Sequence, residues 1–294
     1  MNPEIIHHMP AFKETIIDWL ALQDHHCIVD GTCGEGGHAS VIVPMLKSPG
    51  MYIALDRDEQ ILKRAQHRMA PYKDMIRFFH SSYDELGNVL QILKIQQVDR
   101  ILLDLGLSMY HLKESERGFS FTSDDLLDMR FDPSVSPISA MDVINHFHEN
   151  EISDILYLFG EEHKARKIAR KIVESRKVKA IMTCSDLARV IAEGTGRTNK
   201  RHPATRSFQA LRIYVNAELS HLEQFLSHAH QWVHPGGYVA LITYHSLEDR
   251  IVKRFALNSS CFRMRDKKPI LPDENEISAN PAVRSAKLRI LVRC

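Results

Sequence analysis

A chain of 294 residues, 44% of them hydrophobic, has enough apolar material for one large domain or two modest ones. No run approaches the roughly 18 consecutive apolar residues of a membrane helix, and the start, MNPEIIHHMPAF, lacks the basic-then-apolar order of a signal peptide, so a cytoplasmic protein is expected. The five cysteines, Cys27, Cys33, Cys184, Cys261 and Cys294, are odd in number and form no C-x-x-C pair, which argues against a disulfide framework and a zinc site. The formal net charge is only +1, but it is unevenly spread: from Gly160 to Ile213 there are 14 Lys or Arg against 5 Asp or Glu. A basic middle therefore sits inside an otherwise acidic chain. On charge alone it reads equally as a solvated helical face or as a surface that tracks phosphates.

In chain order, short β-rich runs come first: HCIVD (26–30), MYIALD (51–56), MIRFFH (75–80) and DRILLDLG (99–106), separated by stretches long enough for crossover helices. Alternation of this kind predicts a parallel, doubly wound sheet. Residues from about 112 to 210 have almost no strand-like alternation. They carry NEISDILYLFGEEHKARKIARKIVESR and SDLARVIAEGTG, both apolar at helical spacing. Ser185 or Asp186 is expected to cap the second, and Gly194 with Gly196 to end it. Strand-like runs resume at GGYVALITYHS (236–246), CFRMR (261–265) and KLRILVR (287–293), with KKPILPDENEISANPA (267–282) reading as a polar loop. The expected organisation is an α/β core of residues 1–111 and 211–294, interrupted by an all-helical insert of residues 112–210.

The chemistry is expected at strand ends. Behind the first strand stands DGTCGEGGH, with an acid, Asp30, followed by Gly31, Gly34, Gly36 and Gly37. The spacing is not the G-x-G-x-x-G that lets a backbone approach a pyrophosphate. It is close to the D-x-G-x-G-x-G turn of methyltransferases that use S-adenosylmethionine, with Thr32 in place of the first glycine. Asp56 ends the second strand, where a carboxylate accepts ribose hydroxyls, and Asp104 ends the fourth, at the edge where open α/β sheets bind ligands.

These stretches, with DLGLS, ERGFSF, LDMRFD, HPATRSFQALRIYVNAEL, PGGYVALITYHSLEDRIVKRF and RSAKLR, resemble the RsmH (MraW) family of bacterial methyltransferases through nearly the whole chain. The resemblance implies a Rossmann-like S-adenosylmethionine-dependent core with a helical domain inserted after the fourth strand. It implies methylation of the 4-amino group of a cytidine in small-subunit ribosomal RNA, free or in the assembled subunit. By motif it places cofactor contacts at Gly36, Gly37, His38, Asp56, Tyr83, Asp104 and His111. The family usually has Phe where this chain has Tyr83, Ser at Met109 and Gln at His111.

The cytosine amine is a poor nucleophile, so transfer needs in-line alignment and an acceptor for its protons. Asp104 is the first candidate and Ser108 the second. The prolines and ring of an Asp-Pro-Pro-aromatic loop are absent from DLGLS, which leaves Phe119, Phe121 or Phe208 to stack the base. RHPATRSFQALR sets Arg201, His202, Arg206, Gln209 and Arg212 around a helix start, with Pro203 in its first turn, as candidate RNA contacts. His245, beside Ser246, Glu248 and Asp249, is a candidate base-edge or proton-handling group, with no recognised metal-ligand spacing. Alternatives are a non-catalytic RNA-binding or assembly factor that retains S-adenosylmethionine, an amino methyltransferase acting on DNA or protein, and a nicotinamide oxidoreductase, the last disfavoured by the glycine spacing.

Overall fold

The structure is a computed structural model and describes residues 10–195 and 202–294. Two compact units are built from the chain: one runs to Gly106 and resumes at Leu219, and the other is Leu107–Glu218. The insert is wider at both ends than 112–210. Its first helix begins with a cap at Ser108, and near its last residue Glu218 forks with Arg212.

The first unit is a seven-stranded sheet of β1 (Cys27–Asp30), β2 (Met51–Asp56), β3 (Ile76–His80), β4 (Val98–Asp104), β5 (Val233–Thr243), β6 (Phe262–Met264) and β7 (Lys287–Arg293). The order is β3-β2-β1-β4-β5-β7-β6. The first five strands are parallel; β7 runs antiparallel to β5 and β6 antiparallel to β7. This is the expected Rossmann-like, mixed α/β sheet. The runs Tyr52–Leu55 of β2, Ile101–Leu103 of β4 and Val239–Ile242 of β5 are apolar at consecutive positions because both faces of the sheet are covered there. Side chains alternate: Val29, Ile53, Leu55, Ile101, Leu103, Val239 and Leu241 pack on one face, and Ile28, Ala54, Leu102, Ala240 and Ile242 on the other.

The helices of the chain are α1 (Lys13–Leu20), α2 (Ala39–Ile42), α3 (Glu59–Arg68), α4 (Leu86–Leu93), α5 (Met109–Lys113), α6 (Ala140–His146), α7 (Glu149–Gly160), α8 (Ala165–Val178), α9 (Cys184–Thr195), α10 (Thr205–Val215), α11 (Glu218–Trp232), α12 (Ser246–Asn258) and α13 (Glu274–Ala279). In the sheet unit, α1, α2 and α3 cover one face and α4, α11 and α12 the other. The segment read as a loop at 267–282 contains α13, capped by Asp273, whose Oδ1 accepts the Glu276 N–H at 2.8 Å. Ile277 packs on the core beneath it, so a short amphipathic helix hides in a polar stretch.

In the inserted unit, α5 to α10 surround a single core. The long periodic stretch breaks into α7 and α8 because Glu161 turns left-handed, φ 48°, and the buried Glu162 accepts the Lys164 N–H at 2.9 Å to start the next helix. Helix α8 buries Ala165, Ile168, Ala169 and Ile172 on one stripe and puts Arg166, Lys167 and Arg170 on the exposed side. Thr183, rather than Ser185 or Asp186, supplies the cap of α9: its Oγ1 accepts the Asp186 N–H at 3.3 Å. Gly194 lies inside α9, and Gly196 is outside the described residues. Among the described residues no helix is long and apolar enough to cross a membrane.

Candidate active site

The sheet reverses its winding between β1 and β4, which are neighbours although β2 and β3 intervene in sequence. Ligands of open α/β folds bind outside the carboxyl ends of strands at such a switch point. Here those ends carry Asp56 on β2, Asp30 on β1 and Asp104 on β4, with Tyr244 and His245 directly after β5.

Asp30 is fully interior. Its Oδ2 accepts the Tyr52 hydroxyl at 2.7 Å and its Oδ1 the Thr32 N–H at 3.2 Å. Burial, with the charges of Asp104 and Asp56 adding to it, outweighs these bonds and pushes its carboxyl up to about 7. Asp56 ties down the glycine turn: Oδ2 accepts the Gly34 N–H at 2.7 Å and Oδ1 the Asp58 N–H at 2.9 Å. Gly36 sits at φ +78°, a conformation that L side chains rarely adopt, and its N–H closes the turn onto the Cys33 carbonyl at 2.9 Å. The Gly37 carbonyl accepts the Ser40 hydroxyl at 2.7 Å. Glu35, in the same turn, pairs with Arg64 of α3 at 3.2 Å.

Asp104 lies at the edge of the interior, enclosed by protein yet still touched by solvent. Its N–H donates to Thr32 Oγ1 at 2.6 Å, which explains a threonine in the glycine turn: the hydroxyl latches the turn to the end of β4. The Tyr244 hydroxyl donates to Asp104 Oδ1 at 2.9 Å. The phenol approaches so closely that a Cβ on Gly106 would lie 3.0 Å from its ring, so the glycine after the acid makes room for it. Burial pushes the Asp104 carboxyl up to about 6, against the Tyr244 hydrogen bond and with a further push from the Glu248 charge. Burial likewise raises the Tyr244 phenol well above its ordinary value, so it stays protonated and remains a donor.

His245 and Glu248 form a reciprocal cap on α12: the imidazole Nδ1 accepts the Glu248 N–H at 3.4 Å, while Glu248 Oε2 accepts the Tyr244 N–H at 2.8 Å and the His245 N–H at 3.4 Å. His245 Nε2 lies 3.0 Å from Glu248 Oε1, without the alignment of a hydrogen bond. The cap therefore holds Tyr244 in place from the backbone side. Asp249 is committed elsewhere, to Lys287 at 3.1 Å and Arg289 at 2.6 Å.

Two of the expected cofactor contacts have structural partners inside this unit. The His38 imidazole is buried, its Nε2 donating to the Ala11 carbonyl at 3.1 Å, and burial pushes it down to about 4. Tyr83 follows β3 and packs its ring edge-on against Phe225 at 5.7 Å. The donor set fits the expected cofactor. Asp56 is an acceptor-only group suited to a ribose diol, and the charges of Asp104 and Asp56, which also raise the Asp30 carboxyl, suit a sulfonium and an ammonium while repelling a pyrophosphate.

In the inserted unit, Ser108 and His111 cap α5 reciprocally: Ser108 Oγ accepts the His111 N–H at 3.3 Å, and the Ser108 N–H donates to His111 Nδ1 at 3.3 Å. The His111 ring is buried against Phe119 at 5.2 Å and Phe131 at 5.0 Å. Both residues thus have a structural account that the DLGLS motif did not reveal. Arg206 Nη1 donates to the Glu161 carbonyl at 3.0 Å and is otherwise exposed. Arg212 is not a free phosphate ligand: its Nε and Nη2 fork onto Glu218 at 2.7 Å each. Gln209 is half-buried on α10. Pro203 precedes α10 instead of entering its first turn, and His202 Nδ1 accepts the Ala204 N–H at 3.2 Å there. Arg201 lies outside the described residues. Among the described residues no three His, Cys, Asp or Glu side chains come together as a metal-binding group.

The sequence reading missed Tyr244, and it named Thr32 and Glu248 without the latch and the helix cap that they form here. Tyr244 carried one signal, its place immediately after a strand ending at the same edge as Asp104. Comparison with known proteins agrees with the geometry. The chain is 42% identical over 290 residues to a Thermotoga neapolitana protein named Ribosomal RNA small subunit methyltransferase H, covering 96% of this chain and 95% of that one. It is 42% identical to the protein of the same name from Dictyoglomus turgidum, covering 98% and 97%, and 41% identical to that of a Cyanothece species, covering 100% and 96%. A sequence model of the MraW methylase family matches residues 5–294, and the chain belongs to that family.

Proposed function

We propose that the chain transfers a methyl group from S-adenosylmethionine to the 4-amino group of a cytidine in small-subunit ribosomal RNA. The observation that carries this reading is Asp104: an acid at the switch point of the sheet, at the edge of the interior, held by a phenol. S-adenosylmethionine, when bound, supplies an electrophilic methyl on a sulfonium. Asp56 holds its ribose, and the carboxylates of Asp56 and Asp104 favour its positive charge. Gly36 and Gly37 shape the turn.

The acceptor amine is weakly nucleophilic because its lone pair is delocalised into the pyrimidine ring. Asp104, ionised above about pH 6, accepts a hydrogen bond from the amine, draws electron density onto the nitrogen as the new bond forms, and takes the proton that the methylated nitrogen sheds. Tyr244 fixes Oδ1, so Oδ2 is the oxygen offered to the amine. Ser108 is already engaged in a helix cap, and Asp104 carries the proposal alone. Support for an RNA acceptor comes from the names of the relatives and from the exposed cations of α8.

The test is nucleoside mass spectrometry after small subunits from cells lacking this gene are incubated with the protein and isotopically labelled S-adenosylmethionine. The expected result is a labelled methyl on the cytidine 4-amino group, reduced by about 10²–10⁴-fold in Asp104→Asn, the usual range for a lost acid–base group. Label on another nucleoside, or only on DNA or protein, overturns the assignment of the acceptor. Unchanged activity in Asp104→Asn overturns the role of Asp104.

A further inference from the structure

The inserted unit places its aromatic rings unequally. Phe119, Phe131 and His111 pack against one another, with Phe119 and His111 buried, and Phe208 is buried on α10. Phe121 and His202 are different. Their rings stack at 4.4 Å between centroids and 5° from parallel, Phe121 half-buried and His202 exposed. Residues far apart in sequence are thus brought face to face at the surface, where burial of apolar area contributes little.

Both rings are also pinned. Phe121 rests edge-on against Phe208 at 5.9 Å and 82°. His202 is tied by the Ala204 N–H on its Nδ1, and its own carbonyl accepts the Thr205 N–H at 3.1 Å. Fixing an exposed side chain costs rotamer entropy, so a rigid, exposed flat ring is prepared for a partner that gains from the absence of that cost. Ser120 and Thr122, hydrogen bonded to each other at 2.8 Å, flank Phe121 with hydroxyls, and the exposed Arg206 lies on the helix that His202 precedes. Aromatic faces bordered by hydroxyl groups and a guanidinium match the chemistry of an unpaired nucleotide, whose base stacks while its sugar and phosphate take polar contacts.

We propose that the Phe121–His202 stack is a platform for an unpaired base of the RNA substrate, the outer face of His202 taking the base as the third layer. This rests on the RNA-methyltransferase reading above. The pair selects among the three phenylalanines expected from sequence: Phe119 and Phe208 are consumed by the core, and Phe121 alone supports an exposed ring.

The experiment measures binding of the full chain to a short single-stranded RNA carrying one 2-aminopurine, whose fluorescence is quenched by stacking. His202→Ala is expected to weaken binding by about 5- to 100-fold, the range for loss of one stacked base, and to abolish the quench. The salt dependence of binding should be unchanged, because no phosphate contact is removed. His202→Tyr, which restores a flat ring, is expected to recover both, and Phe121→Leu to reduce both. Unchanged affinity and quenching in His202→Ala, or failure of His202→Tyr to restore them, overturns the platform and leaves the methyl-transfer reading standing. If the wild-type chain binds no RNA while taking up S-adenosylmethionine, the RNA acceptor itself is refuted, and the platform with it.

Discussion

Removing one oxygen atom, in Tyr244→Phe, isolates what the phenol does for Asp104. The ring keeps its packing against Gly106, while the donor 2.9 Å from Asp104 Oδ1 is lost. A hydrogen bond to a charged acceptor contributes about 1.5–3 kcal/mol, and one pKa unit corresponds to about 1.36 kcal/mol. The Asp104 carboxyl, already pushed by burial to about 6, is therefore expected to rise to about 7–8 in the variant. In the proposed mechanism the working form is the carboxylate, so activity is expected to fall as pH drops through this value. At about pH 7 roughly nine-tenths of the wild-type carboxyl is ionised, against between a half and a tenth in the variant. Methyl transfer to small subunits should then drop by about two- to tenfold at about pH 7 and recover above about pH 9. The assay is kcat/KM across this range, because it reports the groups of the free enzyme. A variant whose rate falls equally at every pH, with the acid limb unmoved, would show that Tyr244 does not tune Asp104.

Arg212→Met removes one partner of a largely buried ion pair and leaves Glu218 unpaired. A loss of about 3–5 kcal/mol in stability is expected, seen by denaturant titration; a variant of wild-type stability that had lost only RNA affinity would restore Arg212 as a phosphate ligand. Arg166 and Lys167, exposed and without an ion pair among the described residues, should instead leave stability unchanged when replaced by Ala. Each is expected to lower the slope of log affinity against log salt for single-stranded RNA by about 0.7; an unchanged slope refutes contact of that residue with the backbone. Asp30 has a folded pKa of about 7, raised from 3.8 chiefly by burial. The folded protein therefore holds this proton more tightly than the unfolded chain, and the stability so gained is full below about pH 4 and lost as pH rises through about 7. Asp30→Asn, which cannot ionise, should flatten that decline by roughly 4 kcal/mol between the two limits; equal pH dependence in both proteins would place the titration elsewhere.

The sheet was legible because a strand covered on both faces has no choice of composition. IV, YIAL, ILL and VALI are apolar at consecutive positions since each residue meets a helix layer on one side or the other. The turns of that sheet were legible for a related reason: a left-handed backbone at Gly36 leaves few residue types to choose from. The helix boundaries were harder to read. One apolar stripe runs through NEISDILYLFGEEHKARKIARKI, and periodicity alone does not register the single left-handed residue, Glu161, that divides it into α7 and α8. In the same way a polar composition conceals α13, whose formation rests on the cap from Asp273 and on packing of Ile277.

For the site, position was readable and partnership was not. Asp30, Asp56 and Asp104 each announce themselves as acids that end strands. What holds Asp104 Oδ1 is a phenol at residue 244, brought to it by the parallel pairing of β4 with β5 in the register Asp104 to Ile242. That register follows from the burial of both strands, a property distributed over dozens of residues and carried by no motif. The same reasoning explains Ser108, His111 and Arg212, whose residue types suited catalysis or RNA equally well. A hydroxyl, an imidazole or a guanidinium satisfies a helix end or a carboxylate with the same donors it would present to a ligand. Which of the two it does depends on whether the local fold already supplies a partner: for Ser108, His111 and Arg212 it does, whereas Asp104 retains a carboxylate oxygen beyond the one that Tyr244 holds.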